Sequence, residues 1–269
     1  MQTREMKREY EVAVLDPAGN VTAIVLSDVQ AAERARIAAQ LLRLPELRIE
    51  QAAFLTAPRC GGEIRLEMMG GEFCGNALRC AGFYHALRTG AQGKTCVLAE
   101  ISGAEGVQPV MADTAAGEAS TVMPLPRAVQ PADWPDVQAV RVTFDGITHF
   151  VMDRAQPDDA LVQRAIAAAP EASGALFLDR AAGSMQPVVF VRETGSCVAE
   201  TSCASGSVAT AVVLTADFGD GITEIGIGQP GGTLEVGVQR AHGAVTGLSI
   251  GGPVRLAQTL TVALADAPC

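Results

Sequence analysis

Two cysteines, Cys74 and Cys203, each follow a β-like run and open a segment of small residues that favours a helix. The first lies in GEFCGNALR at residues 71–79, and the second lies in ETSCASGS at residues 200–207. A thiol at a helix N-terminus has a lowered pKa, which falls from about 8.5 towards neutrality. One such thiol in each half of a 269-residue chain predicts a paired acid and base that face each other across a cleft.

The residues after each cysteine are suited to binding a carboxylate. Gly75 and Asn76 follow the first cysteine, and Ser205 and Gly206 lie just after the second. The first N–H groups of a helix have no partner within the helix, and small residues let an anion approach them closely. A thiolate on one side of a bound amino acid then takes the Cα proton, and a thiol on the other side returns one to the opposite face. This pattern predicts two-base racemisation of an amino acid.

A structural zinc site and simple burial are the alternative explanations for the cysteines. Cys74 and Cys80 have the same spacing as Cys197 and Cys203, but zinc ligands usually lie two to four residues apart on a tight turn. We therefore predict no metal site. Free cysteine is often a small buried hydrophobe. That interpretation is assigned to four residues: Cys60, Cys80, Cys96 and Cys269.

The histidines and lysines give little evidence of another catalytic function. His149 follows a turn and enters a strand, and a structural role is predicted for it. A Cys–His hydrolase would leave the second cysteine turn unexplained. Lys7 and Lys94 are the two lysines, and both lie in polar or turn segments unsuited to a Schiff base with pyridoxal phosphate. No cofactor is predicted.

The composition restricts the partners and the compartment. A formal net charge of −10 argues against a nucleic-acid surface or an anionic membrane. No stretch reaches the roughly 20 apolar residues that a membrane helix needs. The N-terminus lacks the apolar region of a signal peptide, and seven cysteines form an odd number, so reduced thiols in the cytoplasm are predicted. The expected partner is a small amino-acid substrate.

The two halves of the chain repeat one order of strands and helices. In each half, two strands precede a helix, further strands follow, and a cysteine turn opens a second helix. The predicted helices span 28–42, 77–88, 159–168 and 205–216, and short strands fill most of the remaining chain. This order predicts an α/β (α+β) fold of two similar halves with a cleft between them. Four prolines within 124–135 indicate a linker, which gives an N-terminal half 1–127 and a C-terminal half 128–255, with the tail 256–269 packed back on the first half.

At this point the sequence resembles the diaminopimelate epimerase family of cofactor-independent racemases. CGNALRC at 74–80 is similar to that family's CGNGARC, and ETSCASG at 200–206 is similar to its ETxACGSG, one residue shorter before the cysteine. PGGTL at 230–234 and GGPV at 251–254 resemble its closing strands, and GITH at 146–149 stands where the family has GNPH.

The resemblance implies two pseudo-symmetric halves, each a curved, mostly antiparallel sheet wrapped around a central helix. It implies that Cys74 and Cys203 are the two bases and that the enzyme needs no cofactor. A homodimer is the expected assembly. The implied substrate-binding residues are Asn20, Glu67, Gly75, Asn76, Glu193, Glu200, Ser205 and Gly206.

Departures from the family pattern concern the substrate side chain. Ile147 replaces an asparagine, Thr194 replaces an arginine, Glu67 replaces another asparagine, and a further asparagine is absent near Gly174. A site that loses the partners of a polar group loses its preference for that group. The segments 16–20 and 71–76 are similar to those of the histidine racemases that supply D-histidine for opine-type metallophores, and Glu67 would then face the imidazole. Diaminopimelate epimerisation and non-catalytic amino-acid binding remain the alternatives.

Overall fold

A computed structural model describes residues 7–192 and 195–266 of the chain, which forms two compact units. The first unit extends to Ala119 and takes in the chain again from Pro253. The second unit runs from Ser120 to Gly252. These boundaries lie earlier along the chain than the predicted ones at 127/128 and 255/256.

The fold is mixed α/β, with strands in the majority. Over the described residues, four α-helices and 17 strands follow one another as β1 Lys7–Asp16, β2 Thr22–Val25, α1 Ala31–Leu41, β3 Gln51–Thr56, β4 Ile64–Met68, α2 Gly75–Arg88, β5 Lys94–Ile101, β6 Gln108–Asp113, β7 Glu118–Val122, β8 Ala128–Ala132, β9 Ala139–Thr143, β10 Ile147–Asp153, α3 Asp159–Ala168, β11 Ala172–Asp179, β12 Ser184–Val191, β13 Ser196–Ala199, α4 Ala204–Leu214, β14 Gly221–Gln229, β15 Gly232–Ala241, β16 Ala244–Pro253 and β17 Arg255–Ala265. Within this part of the chain, no helix is long and apolar enough to cross a membrane.

In the first unit, helices connect the parallel strand pairs. β2 pairs parallel with β3 across α1, and β4 pairs parallel with β5 across α2. β1–β2, β3–β4 and β5–β6 are antiparallel. The last strand, β17, runs antiparallel to β1 from the Lys7↔Ala265 pair to the Asp16↔Arg255 pair. Parallel neighbours need a crossover of this kind, since a tight turn cannot join them.

The second unit has strand pairs of the same two kinds. β10 pairs parallel with β11 across α3, and β12 pairs parallel with β14 at a single residue pair across α4. β9–β10, β11–β12, β14–β15 and β15–β16 are antiparallel. The bounds of α3 agree with the predicted 159–168, because the Asp158 carboxylate caps the helix by accepting from the N–H groups of Ala160 and Leu161.

The strands of the first unit present alternate residues to two helices. Leu66 and Ile101 lie in the core cluster that contains Leu78 of α2, whereas Phe54 lies in the cluster that contains Ile37 of α1. Burying each such side chain contributes about 1.5–3 kcal/mol. Eleven of the 14 residues of α2 are buried, which is the pattern of a helix enclosed by other elements rather than laid on a surface.

A glycine allows α2 to pack closely on the sheet. A Cβ at Gly82 would lie 2.5 Å from a methyl carbon of Val110 on β6. Helix and strand therefore approach more closely here than any larger residue would permit. Cys74, just before α2, packs against the core cluster that contains Val110.

The proline-rich segment is not a linker, which corrects the prediction. It contains β8, which pairs antiparallel with β9 from Ala128↔Thr143 to Ala132↔Ala139. The N–H of Met123 already bonds to the carbonyl of Leu248 within the second unit. Proline removes one backbone donor and is tolerated in a strand whose N–H at that position is not needed by a neighbour. The second unit therefore begins before the prolines.

Glu100 on β5 is a buried carboxylate surrounded by donors. Its oxygens accept from the backbone N–H groups of Arg59, Cys60 and Gly62 at 2.8, 2.6 and 3.0 Å and from the Arg65 guanidinium at 3.2 Å. Burial by itself raises the pKa of Glu100, but these hydrogen bonds outweigh it and hold the pKa at about 2.

Replacing Glu100 by glutamine should therefore lower stability in a pH-dependent way. The folded pKa of about 2 lies below the ordinary 4.5, so the contribution is complete above pH 4.5 and is lost as the pH falls towards 2. Urea unfolding should show Glu100→Gln to be less stable than the wild type at pH 7, with the difference shrinking at pH 3. A difference of equal size at both pH values would contradict this assignment.

Candidate functional site

Cys74 is the N-cap residue of α2. Its backbone is extended, with φ −134° and ψ 112°, and its Sγ accepts from the N–H of Ala77 at 3.5 Å. Gly75 and Asn76, the first two helical residues, are buried. The predicted helix-start geometry is therefore present at the first cysteine.

A chain of hydrogen bonds links Cys74 to the predicted site residue Asn20. The thiol donates to Gln51 Oε1 at 3.2 Å, and Gln51 Nε2 donates to Thr22 Oγ1 at 2.7 Å. Thr22 Oγ1 in turn donates to the Asn20 carbonyl at 3.1 Å. Thr22 and Gln51 are register partners in the parallel β2–β3 pair. Sequence reasoning missed both residues, although each is a polar residue at the start of an otherwise apolar strand.

Asn20 occupies a strained turn beside this chain. Its φ is +57°, in the left-handed region that asparagine tolerates better than most residues. The Glu50 carboxylate holds the turn, since its Oε1 accepts from the N–H of Asn20 at 3.0 Å and from that of Val21 at 3.4 Å. The structure thus brings Asn20 to the same region of the first unit as Cys74.

Asn76 is oriented by a buried cation. Arg79 is fully buried and donates to the carbonyls of Ala119 and Pro253 and, at 3.1 Å, to Asn76 Oδ1. Burial lowers the pKa of Arg79 to about 10. Because its Oδ1 accepts from Arg79, Asn76 has its Nδ2 as the remaining end of the amide, and this buried donor has no partner among the residues that the structure describes. An unpaired buried donor at a helix start is suited to an anionic ligand.

Glu67 lies on the side of β4 away from α2, and its predicted contact with the substrate stays a prediction. Ile64, Leu66 and Met68 of β4 pack in the core cluster around α2, so Glu67 lies on the opposite side of the strand. Its carboxylate accepts from Arg65 Nε at 2.7 Å and pairs with Arg59 at 3.3 Å. In the ligand-free protein Glu67 is therefore part of an ion-pair cluster with Arg59 and Arg65.

Cys203 is the N-cap residue of α4 and is held by a second glutamine. Its backbone N–H donates to Gln229 Oε1 at 2.6 Å. Gln229 Nε2 donates to Ser207 Oγ at 2.9 Å, and Ser207 Oγ donates to the Cys203 carbonyl at 2.8 Å. This ring of bonds fixes the backbone of Cys203. Sequence reasoning did not identify Gln229 or Ser207.

The surroundings of Cys203 favour its neutral thiol, whereas a helix start by itself predicts a lowered pKa. Burial raises its pKa well above the usual value, and the Glu200 carboxylate raises it further. The N–H of Gly206 and the hydroxyl of Ser205 act in the opposite direction and are outweighed. Burial therefore destabilises the thiolate more than the hydrogen-bond donors at the helix start stabilise it.

His149 lies close to this thiol through Ser205. His149 Nε2 is 2.9 Å from Ser205 Oγ, which is 3.7 Å from Cys203 Sγ. The imidazole is fully buried, and burial lowers its pKa to about 3, so it is neutral. Its Nδ1 is buried and has no hydrogen-bond partner within 7–192 and 195–266. A Cβ at Gly174 would lie 2.0 Å from this Nδ1, so only glycine leaves room for the ring.

The remaining predicted residues divide into two groups. Gly206 and Glu200 lie within a few residues of Cys203, and the Glu200 N–H bonds to the Pro187 carbonyl. Glu193 lies outside the described residues.

Among residues 7–192 and 195–266, no group of three or more histidine, cysteine, aspartate or glutamate side chains is arranged to hold a metal ion.

Comparisons with known proteins cover nearly the whole chain. Residues 11–262 match the family model described as the histidine racemase CntK N-terminal domain. A histidine racemase from Staphylococcus aureus (strain Mu50) is 26% identical over 94% of this chain and 97% of its own length. A histidine racemase from Fusobacterium nucleatum is 28% identical over 92% of this chain and 96% of its own length.

Solved structures of low identity share the fold. A probable proline racemase from Agrobacterium radiobacter K84 superposes with a TM-score of 0.63 at 14% identity, covering 95% of this chain and 93% of that chain. A hydroxyproline epimerase from Agrobacterium vitis gives a TM-score of 0.64 at 13% identity, with 98% and 93% covered. At these identities the likeness establishes the fold and nothing about the substrate.

Proposed function

Because the chain belongs to the histidine racemase family, we propose that it interconverts L- and D-histidine without a cofactor, with Cys74 and Cys203 as the two bases. The observation that carries this proposal is the matched pair of N-cap thiols. In each unit, a cysteine is the N-cap residue of a buried helix. A glutamine side chain accepts a hydrogen bond from each cysteine: from the thiol of Cys74 in the first unit and from the backbone N–H of Cys203 in the second.

We further propose that the units are pseudo-symmetric halves of a diaminopimelate epimerase-like fold, each a sheet wrapped around a central helix. The order of strand pairs supports this. In each unit a parallel pair spans one helix, an antiparallel pair follows, and a second parallel pair spans the helix that begins with the cysteine. The active site would then lie in the cleft between the halves.

Removal and return of the proton follow from the two thiols. The thiolate of one cysteine takes the Cα proton of histidine, which leaves a planar carbanion. The thiol of the other cysteine delivers its own proton to the opposite face. After the reaction the first cysteine is therefore a thiol and the second is the thiolate. Helix N–H groups and the Asn76 Nδ2 bind the α-carboxylate, onto which the negative charge is delocalised.

The rest of the site would hold the substrate's polar groups. Asn20, Ser205 and Gly206 remain the proposed contacts for the α-carboxylate and α-amino group, and Glu193 and Glu200 remain proposed substrate ligands. The product would be D-histidine for opine-type metallophore synthesis in the cytoplasm, where thiols stay reduced. A homodimer is the proposed assembly.

A substrate panel tests this function. The purified protein is incubated in D2O with L-histidine, diaminopimelate, L-proline or L-alanine, and chiral chromatography follows the enantiomers. We expect D-histidine to accumulate towards an equal mixture, with little conversion of the other amino acids. Conversion of diaminopimelate but not histidine would show an epimerase instead. Tight histidine binding without Cα exchange would show a binding module.

The rate should depend on pH with a bell-shaped profile. Catalysis needs one thiolate and one thiol, so the rate falls when both are protonated and when both are ionised. Because burial raises the pKa of Cys203, the rate should still be rising as the pH increases through neutrality. Values of kcat/KM measured with histidine from about pH 6 to about pH 10 check this. A rate that is independent of pH across this range would contradict the two-thiol mechanism.

A further inference from the structure

We propose that Gln51 is a positioning residue that holds Cys74 in its protonated thiol form in the ligand-free protein, and that Thr22 fixes the end of the Gln51 amide that faces the sulfur. The proposal deepens the proposed function, since it assumes that Cys74 is one of the two bases. It concerns the resting proton on Cys74, which can be measured without any turnover.

The polarity of the chain follows from counting protons. A backbone carbonyl only accepts, so the hydroxyl of Thr22 uses its single proton in the 3.1 Å bond to Asn20. Thr22 Oγ1 can then only accept in the 2.7 Å contact with Gln51, which must present Nε2. The other end of the amide, Oε1, therefore faces Cys74 Sγ at 3.2 Å. An amide oxygen cannot donate, so this bond exists only while the sulfur carries its proton.

Burial makes this orientation the favoured one. Thr22 is fully buried and Gln51 is 7% exposed, so water is not at hand to replace a lost partner. Turning the amide over would require the Thr22 proton to leave the Asn20 carbonyl. It would also place an N–H next to the sulfur, which stabilises the thiolate. The direction of one buried hydroxyl thus decides which protonation state of Cys74 is favoured.

The second glutamine acts differently at Cys203. Gln229 bonds the backbone N–H of Cys203 and not its sulfur. The sulfur is affected by the hydroxyl of Ser205 at 3.7 Å, the N–H of Gly206 and the carboxylate of Glu200, and the carboxylate favours the protonated thiol. Gln51 thus acts directly on the thiol proton of Cys74, whereas Gln229 orients the backbone of Cys203.

Other charged groups of the first unit act on the same sulfur and stay unchanged in the test. Arg79 and the Ala77 N–H favour the thiolate from α2. Cys80 is fully buried with a pKa raised to about 12, so it remains a thiol. Asp16 at the end of β1, Glu50 just before β3 and Glu72 just before α2 are the acidic residues beside these elements, and all are retained in the variants.

The test measures alkylation of Cys74 alone. Trypsin cleaves after Arg65 and Arg79, and the peptide 66–79 contains Cys74 as its single cysteine. The folded protein is treated briefly with iodoacetamide from about pH 6 to about pH 10, and mass spectrometry of this peptide gives the pH midpoint of its modification. The variants are Gln51→Leu, which removes the acceptor, and Thr22→Val, which frees the amide to turn over. Thr22→Ser keeps the hydroxyl and is the matched control.

We expect Gln51→Leu and Thr22→Val to move the midpoint to lower pH, with Cys74 alkylated roughly tenfold faster at pH 7, a change of about one pH unit. Thr22→Ser should keep the wild-type midpoint. Circular dichroism of each variant confirms that it is folded. A wild-type midpoint in both Gln51→Leu and Thr22→Val would overturn the proposal while leaving the racemase function intact. A midpoint that moves equally in Thr22→Ser and Thr22→Val would also overturn it.

Discussion

Racemisation should fall by roughly 10³-fold or more when either Cys74 or Cys203, the two proposed bases, is replaced by alanine. With one thiol left, a proton can be taken from one face of the α-carbon, but nothing stands on the opposite face to return one. Each loss should appear in kcat with a smaller change in KM, because the helix N–H groups that bind the carboxylate are backbone groups and survive the substitution. Chiral chromatography with histidine measures both constants.

Exposed cysteines of the same units provide matched controls. Cys96→Ser in the first unit and Cys197→Ser in the second should keep wild-type activity, since both side chains are exposed. Cys203 is buried, so circular dichroism must show that its alanine variant is folded. Near-normal activity in either alanine variant would rule out that cysteine as a base.

The second large effect is predicted for Gly174→Ala. The new Cβ would lie 2.0 Å from His149 Nδ1 and 2.7 Å from its Cε1, and the imidazole is fully buried with nowhere to move. Overpacking of this kind costs about 1–3 kcal/mol. Displacing the ring also breaks the 2.9 Å contact with Ser205, so activity should fall together with the unfolding midpoint.

Gly219→Ala is the control for this substitution, because a Cβ there meets nothing within 4 Å. The double variant His149→Ala/Gly174→Ala tests the cause. If the clash is with the imidazole, adding Gly174→Ala to His149→Ala should destabilise far less than adding it to the wild type. Equal and additive losses would mean that the clash lies elsewhere.

Local signals in the sequence predicted the helices that begin at the two cysteines. A strand followed by a cysteine and small residues predicted helix starts at 74 and 203, whereas α1 begins at Ala31 and not at the predicted residue 28. Prolines at 124–135 gave a wrong prediction, since β8 is stabilised by pairing with β9, a contact that no local pattern contains. The sequence did not show which face of β4 carries Glu67, because which face α2 covers is decided by packing.

The chemistry around the thiols was less accessible from sequence. Thr22 and Gln51 meet through the register of a parallel pair 29 residues apart in the chain, and Gln229 reaches Cys203 across 26 residues. The helix-start rule predicted a low pKa for Cys203, but the extent of its burial is a tertiary property and reverses the direction. Residue types therefore predicted the reaction class, and tertiary contacts set the protonation states.

The early course of isotope incorporation tests the two-base mechanism most directly. L-histidine is incubated with the enzyme in D2O, and both enantiomers are separated and analysed by mass spectrometry while conversion is still low. Two thiols on opposite faces predict that the D-histidine formed carries deuterium at Cα while the remaining L-histidine stays protiated. If the L-histidine pool gained deuterium as fast as D-histidine appeared, a single base would be serving both faces, and the roles assigned to Cys74 and Cys203 would be wrong.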